Sequence, residues 1–422
     1  MNPADKIFVG NQKGVHPGNL PLPLTGIRLT DFSWVAAGPW CTRYLAAMGA
    51  EVIKIESTQR IDFTRNTGPF AEKKGGLNRS SYFNMWNQSK KSCTININHP
   101  QGRELAKRLV KISDIAVENF GYGTLEKLGL GYSELTQVKS DLIMLSSSGF
   151  GRSGPFKEFR CYGRNLHAAS GLVNLCGYEG GGEPRSITVI WADVVAGLAS
   201  TLAILMALYH REQTGEGQYI DNSMVENCCF HLPEPLLDWA LNGREWQRKG
   251  NSDETHAPQS CYRCYGDDQW VAISVSNEKW PEFCKAIGNP PWCQEERFAN
   301  ILKRIQNRKE LDRFVNDWTK KYTPSEVVSI LQSRGIAAGV TYDLEQILGN
   351  SDLYQQGTLV KVNHPEVGWR SGPGLPWRLS LVPNPNHFAA PLLGEHNSYV
   401  FLDLLKMSKE EVAELTKEGA IQ

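Results

Sequence analysis

One carboxylate interrupts the most apolar stretch of the chain. In VIWADVVAGLASTLAILMALY, Val189 to Tyr209, Asp193 is the one acidic residue. An ionised carboxylate in a dry setting is costly unless partners or water compensate it. Two readings stand on these residues alone. Asp193 is an acid at a helix start favoured by the helix dipole, worth under about 1 kcal/mol, or it is a catalytic carboxylate.

Other chemistry-bearing patterns are weaker. GFGRSG places Gly149, Gly151 and Gly154 in G-x-G-x-x-G spacing after an apolar run. A dinucleotide fingerprint also needs a helix opening on that turn and an acid about twenty residues on. Pro155 follows instead, and FKEFRCYG has no apolar helical stripe, so nicotinamide binding is not expected. Cys261 and Cys264 form a lone C-x-x-C, with Cys284 and Cys293 too irregularly spaced to complete a zinc set, and no metal is expected. His167 in RNLHAASGL reads as a base or, preferably, as a structural histidine. EGGGEPR (179–185) reads as a flap or, preferably, a loose surface loop. Lys90, Lys91, Arg103, Lys107, Arg108 and Lys111 are read mostly as the solvated face of a helix.

The elements that must position such residues alternate along the first half. IRLTDF (27–32) and EVIKIE (51–56) read as strands around a helix in GPWCTRYLAAMGA (38–50), which has proline at its start. HPQGRELAKRLVKIS (99–113) carries Leu105, Leu109, Val110 and Ile112 on one helical face. Apolar runs follow in DIAVENF and DLIMLSSS. Strands separated by helices imply parallel β-α-β units, hence an α/β, Rossmann-like large domain with an open, mostly parallel sheet. The predicted division is a large domain over 1–222, a helical linker over 223–250 and a smaller α+β domain over 251–345. Residues 346–422 return as a linker and the C-terminal part of the large domain, ending in a helix with a capping box from Ser408 to Glu411.

Composition bounds the partners. The 422 residues are 41% hydrophobic, and 45 basic residues balance 45 acidic ones. No global field attracts nucleic acid or an anionic membrane. The start, MNPADKIFVGNQKG, has no apolar leader core, and ten scattered cysteines do not read as a disulfide framework. A cytoplasmic protein is expected. The apolar run is about long enough to span a bilayer, but Asp193 and its continuation HREQTGEGQ favour a buried core helix.

Several blocks, in order, carry a resemblance to the class III CoA-transferases, which include formyl-CoA and carnitine CoA-transferases. They are LTGIRLTDFSWVAAGPWCTRYLAAMGAEVIKIES, SYFNMWNQSKKSCTININHPQGRELAKRLVKISDIAVENFGYGTLEKLGL, GFGRSGP, WADVVAGLASTLAILMALYHREQTGEGQYIDNSM and PLLGEH. The resemblance makes Asp193, opening D-x-x-x-G with Gly197, the nucleophile that forms a mixed anhydride and then an aspartyl-CoA thioester. It implies an acyl-CoA donor and a carboxylic acid acceptor as substrates, with no tightly bound cofactor. The fold it implies is a Rossmann-like large domain with a small one, two chains being interlocked as a homodimer or a heteromer with a paralogous subunit.

Residue by residue, the resemblance puts CoA contacts at Val35, Ala36, Ala37, Ile95, Asn119, Phe120, Lys127, Leu128, Arg160, Tyr162 and Met224. Lys127 and Arg160 would supply local positive charge. Ser57 and Asn98 stand where some relatives have basic residues, and Gly163 stands where many carry an acid. Losing that acid is expected to enlarge and neutralise the acceptor pocket, favouring succinyl-CoA with a bulky acceptor such as benzylsuccinate. DFSWVAAGP and YGRNLHAASGL are most similar to the benzylsuccinate CoA-transferase branch. The alternatives are a non-catalytic partner subunit and a 2-methylacyl-CoA racemase, whose relatives carry His-Asp where this chain has Tyr162 and Gly163.

Overall fold

The structure, a computed structural model, describes residues 21–380, 382, 385 and 387–422. The N-terminal stretch read above for a leader lies outside them. Two compact units emerge. The first comprises residues up to Leu172, then Ser186–Leu237 and Ser351–Gln422; the second comprises Val173–Arg185 and Asp238–Asn350.

The first unit is built on six parallel strands: β1 (Arg28–Asp31), β2 (Glu51–Glu56), β3 (Lys91–Thr94), β4 (Ile115–Glu118), β5 (Ile143–Ser148) and β6 (Tyr219–Ser223). Their order is β3-β2-β1-β4-β5-β6, and every neighbouring pair is parallel. This is the doubly wound order, with its reversal between β1 and β4. Strands covered on both faces are buried along their whole length rather than alternately, as β4 and β5 are.

Helix α1 (Ala37–Ala47) and helix α4 (Trp191–Thr214) cover one face, where Leu29, Cys41, Leu45, Val117, Leu145 and Ile204 form a core. Helix α2 (Pro100–Lys111) covers the other with Leu105, Leu109 and Val110, joined by Val400 and Phe401 from the C-terminal segment. Ile421 bridges back to Ile95, and the Asn96 amide donates to the Ala420 carbonyl. The last helix, α6 (Lys409–Lys417), is capped by Ser408, which accepts the Glu411 amide. Glu411 itself pairs with Arg108 rather than closing the box.

Helix α4 departs from the expected core helix. Ala192, Ala196, Gly197, Ser200 and Thr201 are buried, whereas Leu198, Leu202, Leu205, Met206 and Tyr209 are exposed. Small residues take the inner face because α4 crosses α1 closely: a Cβ on Gly197 would stand 2.9 Å from Trp40 Cβ. The helix is long and apolar enough to cross a membrane, and half of its apolar window is buried in protein.

The second unit carries the antiparallel sheet β7 (Gln259–Arg263), β8 (Trp270–Ser274) and β9 (Ala337–Val340). Its core contains Tyr262, Val271, Phe283, Leu311 and Val327. Residues 173–185, placed by sequence with the large domain, belong here. The reason is local: Arg248 donates to the carbonyls of Asn174 and Gly182, and Arg308 pairs with Glu179. EGGGEPR is a loop without helix or strand.

Candidate active site

Asp193 lies in the first turn of α4 and is 9% exposed. Burial pushes its pKa up to about 6, against the pull of its own backbone amide and that of Ala37. Ala37 opens α1, whose first amides have no intrahelical acceptor. Gly197, one turn beyond Asp193, lets α4 approach that helix end, which explains the D-x-x-x-G spacing.

On the other side of Asp193 stands helix α3 (Gly163–Ala169). A Cβ on Gly163 would lie closer than 3.0 Å to Asp193 Oδ2, an approach that real Cβ atoms do not make. Nothing other than the Asp193 carboxylate comes within 4 Å of that point. His167, one turn on, is fully buried, and its Nε2 accepts the Ala192 amide at 3.0 Å. It caps α4 and is not a free base.

The β1–α1 turn is held from beneath by buried charges. Val35 has φ +67°, a strained conformation for a β-branched residue. Asp62 accepts the Val35 amide and pairs with Lys54 at 3.1 Å, and Asp31 pairs with Lys90 at 3.1 Å, all four side chains fully buried. Lys90 thus does not belong to a solvated face. Burial lowers its pKa to about 8 against the pull of Asp31. Asn119 holds Trp34 at both ends, accepting its amide at 2.8 Å and donating to its carbonyl at 2.7 Å.

A cavity of about 180 Å³ opens at the C-terminal ends of β1, β2 and β4, where doubly wound folds bind ligands. Of the sequence candidates, Ile95, Phe120 and Leu128 line it, as do Ser57 and Asn98. Arg60 and Trp34, which sequence reasoning missed, line it too. The ring of Phe120 meets Trp34 edge-on at 5.3 Å. Val35, Ala36, Ala37 and Asn119 form and fasten the adjoining turn. Lys127 is exposed beside Leu128; Arg160 and Tyr162 are exposed before α3. Met224, opening helix α5 (Met224–Phe230), is buried against Leu166, Ala192 and Val195 behind the Asp193 helix.

GFGRSG follows β5 but opens no helix. Gly149 is required by the close approach of Cys161 Sγ, and Arg152 pairs with buried Glu118. Among the described residues, no group of three His, Cys, Asp or Glu side chains converges on a point.

The family and fold of the chain have matches among known proteins. The model of CoA-transferase family III matches residues 24–397. The succinyl-CoA–D-citramalate CoA-transferase of Chloroflexus aurantiacus is 31% identical, over 95% of this chain and 98% of its own. The mouse succinyl-CoA:glutarate CoA-transferase is 29% identical, over 95% and 90%. The formyl-CoA:oxalate CoA-transferase of Afipia carboxidovorans is 30% identical, over 94% and 97%. A crystal structure of a CaiB/BaiF family protein from Brucella suis superposes with a TM-score of 0.83 at 29% identity, over 91% of this chain and all of that one.

Proposed function

The chain belongs to CoA-transferase family III, and from that premise we propose that Asp193 carries CoA between two carboxylic acids. The observation that carries this reading is a buried carboxylate held by backbone amides rather than by a cation. Asp193 Oδ attacks the donor thioester carbon, the C–S bond breaks and CoA leaves as thiolate. The thiolate attacks Cγ of the mixed anhydride, releasing the donor acid and leaving an aspartyl thioester. The acceptor carboxylate attacks that thioester, and the returning thiolate takes the acceptor acyl group, freeing Asp193. No proton is gained or lost over the cycle. A dry site favours this route by excluding the water that would hydrolyse either intermediate.

CoA enters as substrate. Its nucleotide end is assigned to the cavity of Trp34, Ile95, Phe120 and Leu128, with Arg60, Lys127 and Arg160 as cations for phosphate. The Val35–Ala37 turn and Tyr162 then lie along the path to Asp193, and Met224 backs the nucleophile's helix. The donor is succinyl-CoA, supported by the donors named for the Chloroflexus and mouse relatives. The acceptor is a dicarboxylate of related size, with benzylsuccinate the aryl-substituted member to be tested. Free thiols at all ten cysteines fit a cytoplasmic enzyme.

The test is incubation with succinyl-CoA followed by hydroxylamine or borohydride and peptide mapping. Modification of the Asp193 peptide, and its loss with activity in Asp193→Ala, is expected. An unmodified peptide with activity intact in the variant would sink the reading. Turnover by the chain alone would exclude a silent partner subunit. A panel of oxalate, formate, malate, citramalate, glutarate and benzylsuccinate then ranks acceptors, and preference for formate or oxalate would defeat the dicarboxylate assignment.

The exposed α4 stripe of Leu198, Leu202, Leu205, Met206 and Tyr209 is assigned to a second chain. Replacing Leu202 and Met206 by glutamate should convert a dimer to a monomer in light scattering. A monomeric wild-type chain, alone and with a paralogous subunit, would refute the assignment.

A further inference from the structure

Two residues of α3, one helical turn apart, face the start of α4. Gly163 has no positive φ to require glycine. A methyl group at this position would meet only the Asp193 carboxylate, so the nucleophile's own oxygen would have to move aside. Four residues on, His167 accepts the Ala192 amide, the residue before the nucleophile. The first amides of a helix need acceptors. The residue preceding α4, Ile190, offers no side-chain acceptor, so the cap comes from another helix.

Accepting at Nε2 requires a neutral ring with its hydrogen on Nδ1. That Nδ1 is buried with no hydrogen-bond partner. An unsatisfied buried donor is costly, and any apolar side chain here would avoid that cost. Burial, and behind it the Arg164 cation, lowers the His167 pKa and so keeps the accepting form.

We propose that Gly163 and His167 are positioning residues for Asp193: His167 fixes the Ala192 amide and with it the nucleophile's backbone, and Gly163 leaves the seat in which the carboxylate rests. This rests on the reading of Asp193 as nucleophile. The geometry has a clear logic. The carboxylate is clamped between the Ala37 amide and the bare Cα of Gly163, so its rotamer is set before substrate arrives. Misplacing a reacting group by about 1 Å costs on the order of 10²-fold in rate.

The test compares Asp193→Ala, Gly163→Ala, His167→Leu and His167→Gln with wild type. It measures kcat, KM for the acyl-CoA, hydroxylamine-trapped aspartyl adduct and melting temperature. Gly163→Ala should lower kcat on the order of 10²-fold and trap proportionally less adduct, with KM within about twofold. His167→Leu should lower kcat about tenfold or more, and His167→Gln, whose amide oxygen accepts near the Nε2 position, should recover most of it. Wild-type kcat in Gly163→Ala, or His167→Gln no better than His167→Leu, overturns the proposal while an inactive Asp193→Ala leaves the nucleophile standing. An active Asp193→Ala overturns the reading beneath it. Should His167→Leu not fold, Gly163→Ala decides alone.

Discussion

The amide of Val35 lies 3.2 Å from both carboxylate oxygens of Asp62. That carboxylate also takes the Thr64 amide and pairs with Lys54. It therefore holds a strained turn and neutralises a buried ammonium at once. Removing one partner of such a pair typically costs about 3–5 kcal/mol. Asp62→Ala should lose stability of that order in urea unfolding, and Asp62→Asn, which still accepts the Val35 amide, should lose less. Equal stability of Asp62→Ala and wild type would contradict this role.

Asp193 must be ionised to attack, and burial raises its pKa to about 6. The logarithm of kcat/KM should therefore fall with unit slope as pH drops below about 6 and be flat above it. The profile is measured with saturating acceptor and an acyl-CoA far below KM. A break near the ordinary carboxylate value of 3.8 would show that the free enzyme does not desolvate this group.

The same shift opposes folding. Because the native pKa is raised, the native state holds the proton more tightly than the unfolded chain. The penalty is fully present above about pH 6 and vanishes below 3.8. At about 1.4 kcal/mol per pKa unit it reaches at most about 3 kcal/mol. Asp193→Asn should thus melt higher than wild type at pH 8, with the gap closing on acidification. A gap independent of pH would refute the linkage.

Arg60 lines the cavity from an exposed position. If it meets a CoA phosphate, Arg60→Ala should raise the KM for acyl-CoA about tenfold, near 1.4 kcal/mol, with kcat within about twofold. The effect should shrink in high salt, since an exposed charge pair is screened. An unchanged KM at low salt would remove Arg60 from the site.

Much of this was legible in the sequence for a simple reason. Parallel strands buried on both faces, such as IAVE, leave near-continuous apolar runs. Asp193 stood out because a carboxylate is foreign to its run. What stayed hidden depends on contacts between distant segments. His167 meets an amide 25 residues on, and Lys90 finds Asp31 59 residues back. Gly163 read only as a missing acid because a bare Cα says nothing local about which neighbour stands beside it, here the Asp193 carboxylate. Arg60 sits in the turn STQRID with no periodicity to mark it. Helix α4 read as wholly buried because apolar residues surround it, although the face toward the protein is mostly of small residues and several large ones stay exposed.

The bridge from Ile95 to Ile421 makes one wall of the cavity a joint product of segments far apart in sequence. Ile95 and Asn96 wall the cavity. The Ile95 amide donates to Glu56 on the neighbouring strand, but the Asn96 amide finds its acceptor only in Ala420. The nucleophile's helix has no part in that pairing, so the wall can loosen while Asp193 stays in place. Removing residues 419–422 should therefore be felt first in acyl-CoA affinity, with the sheet intact.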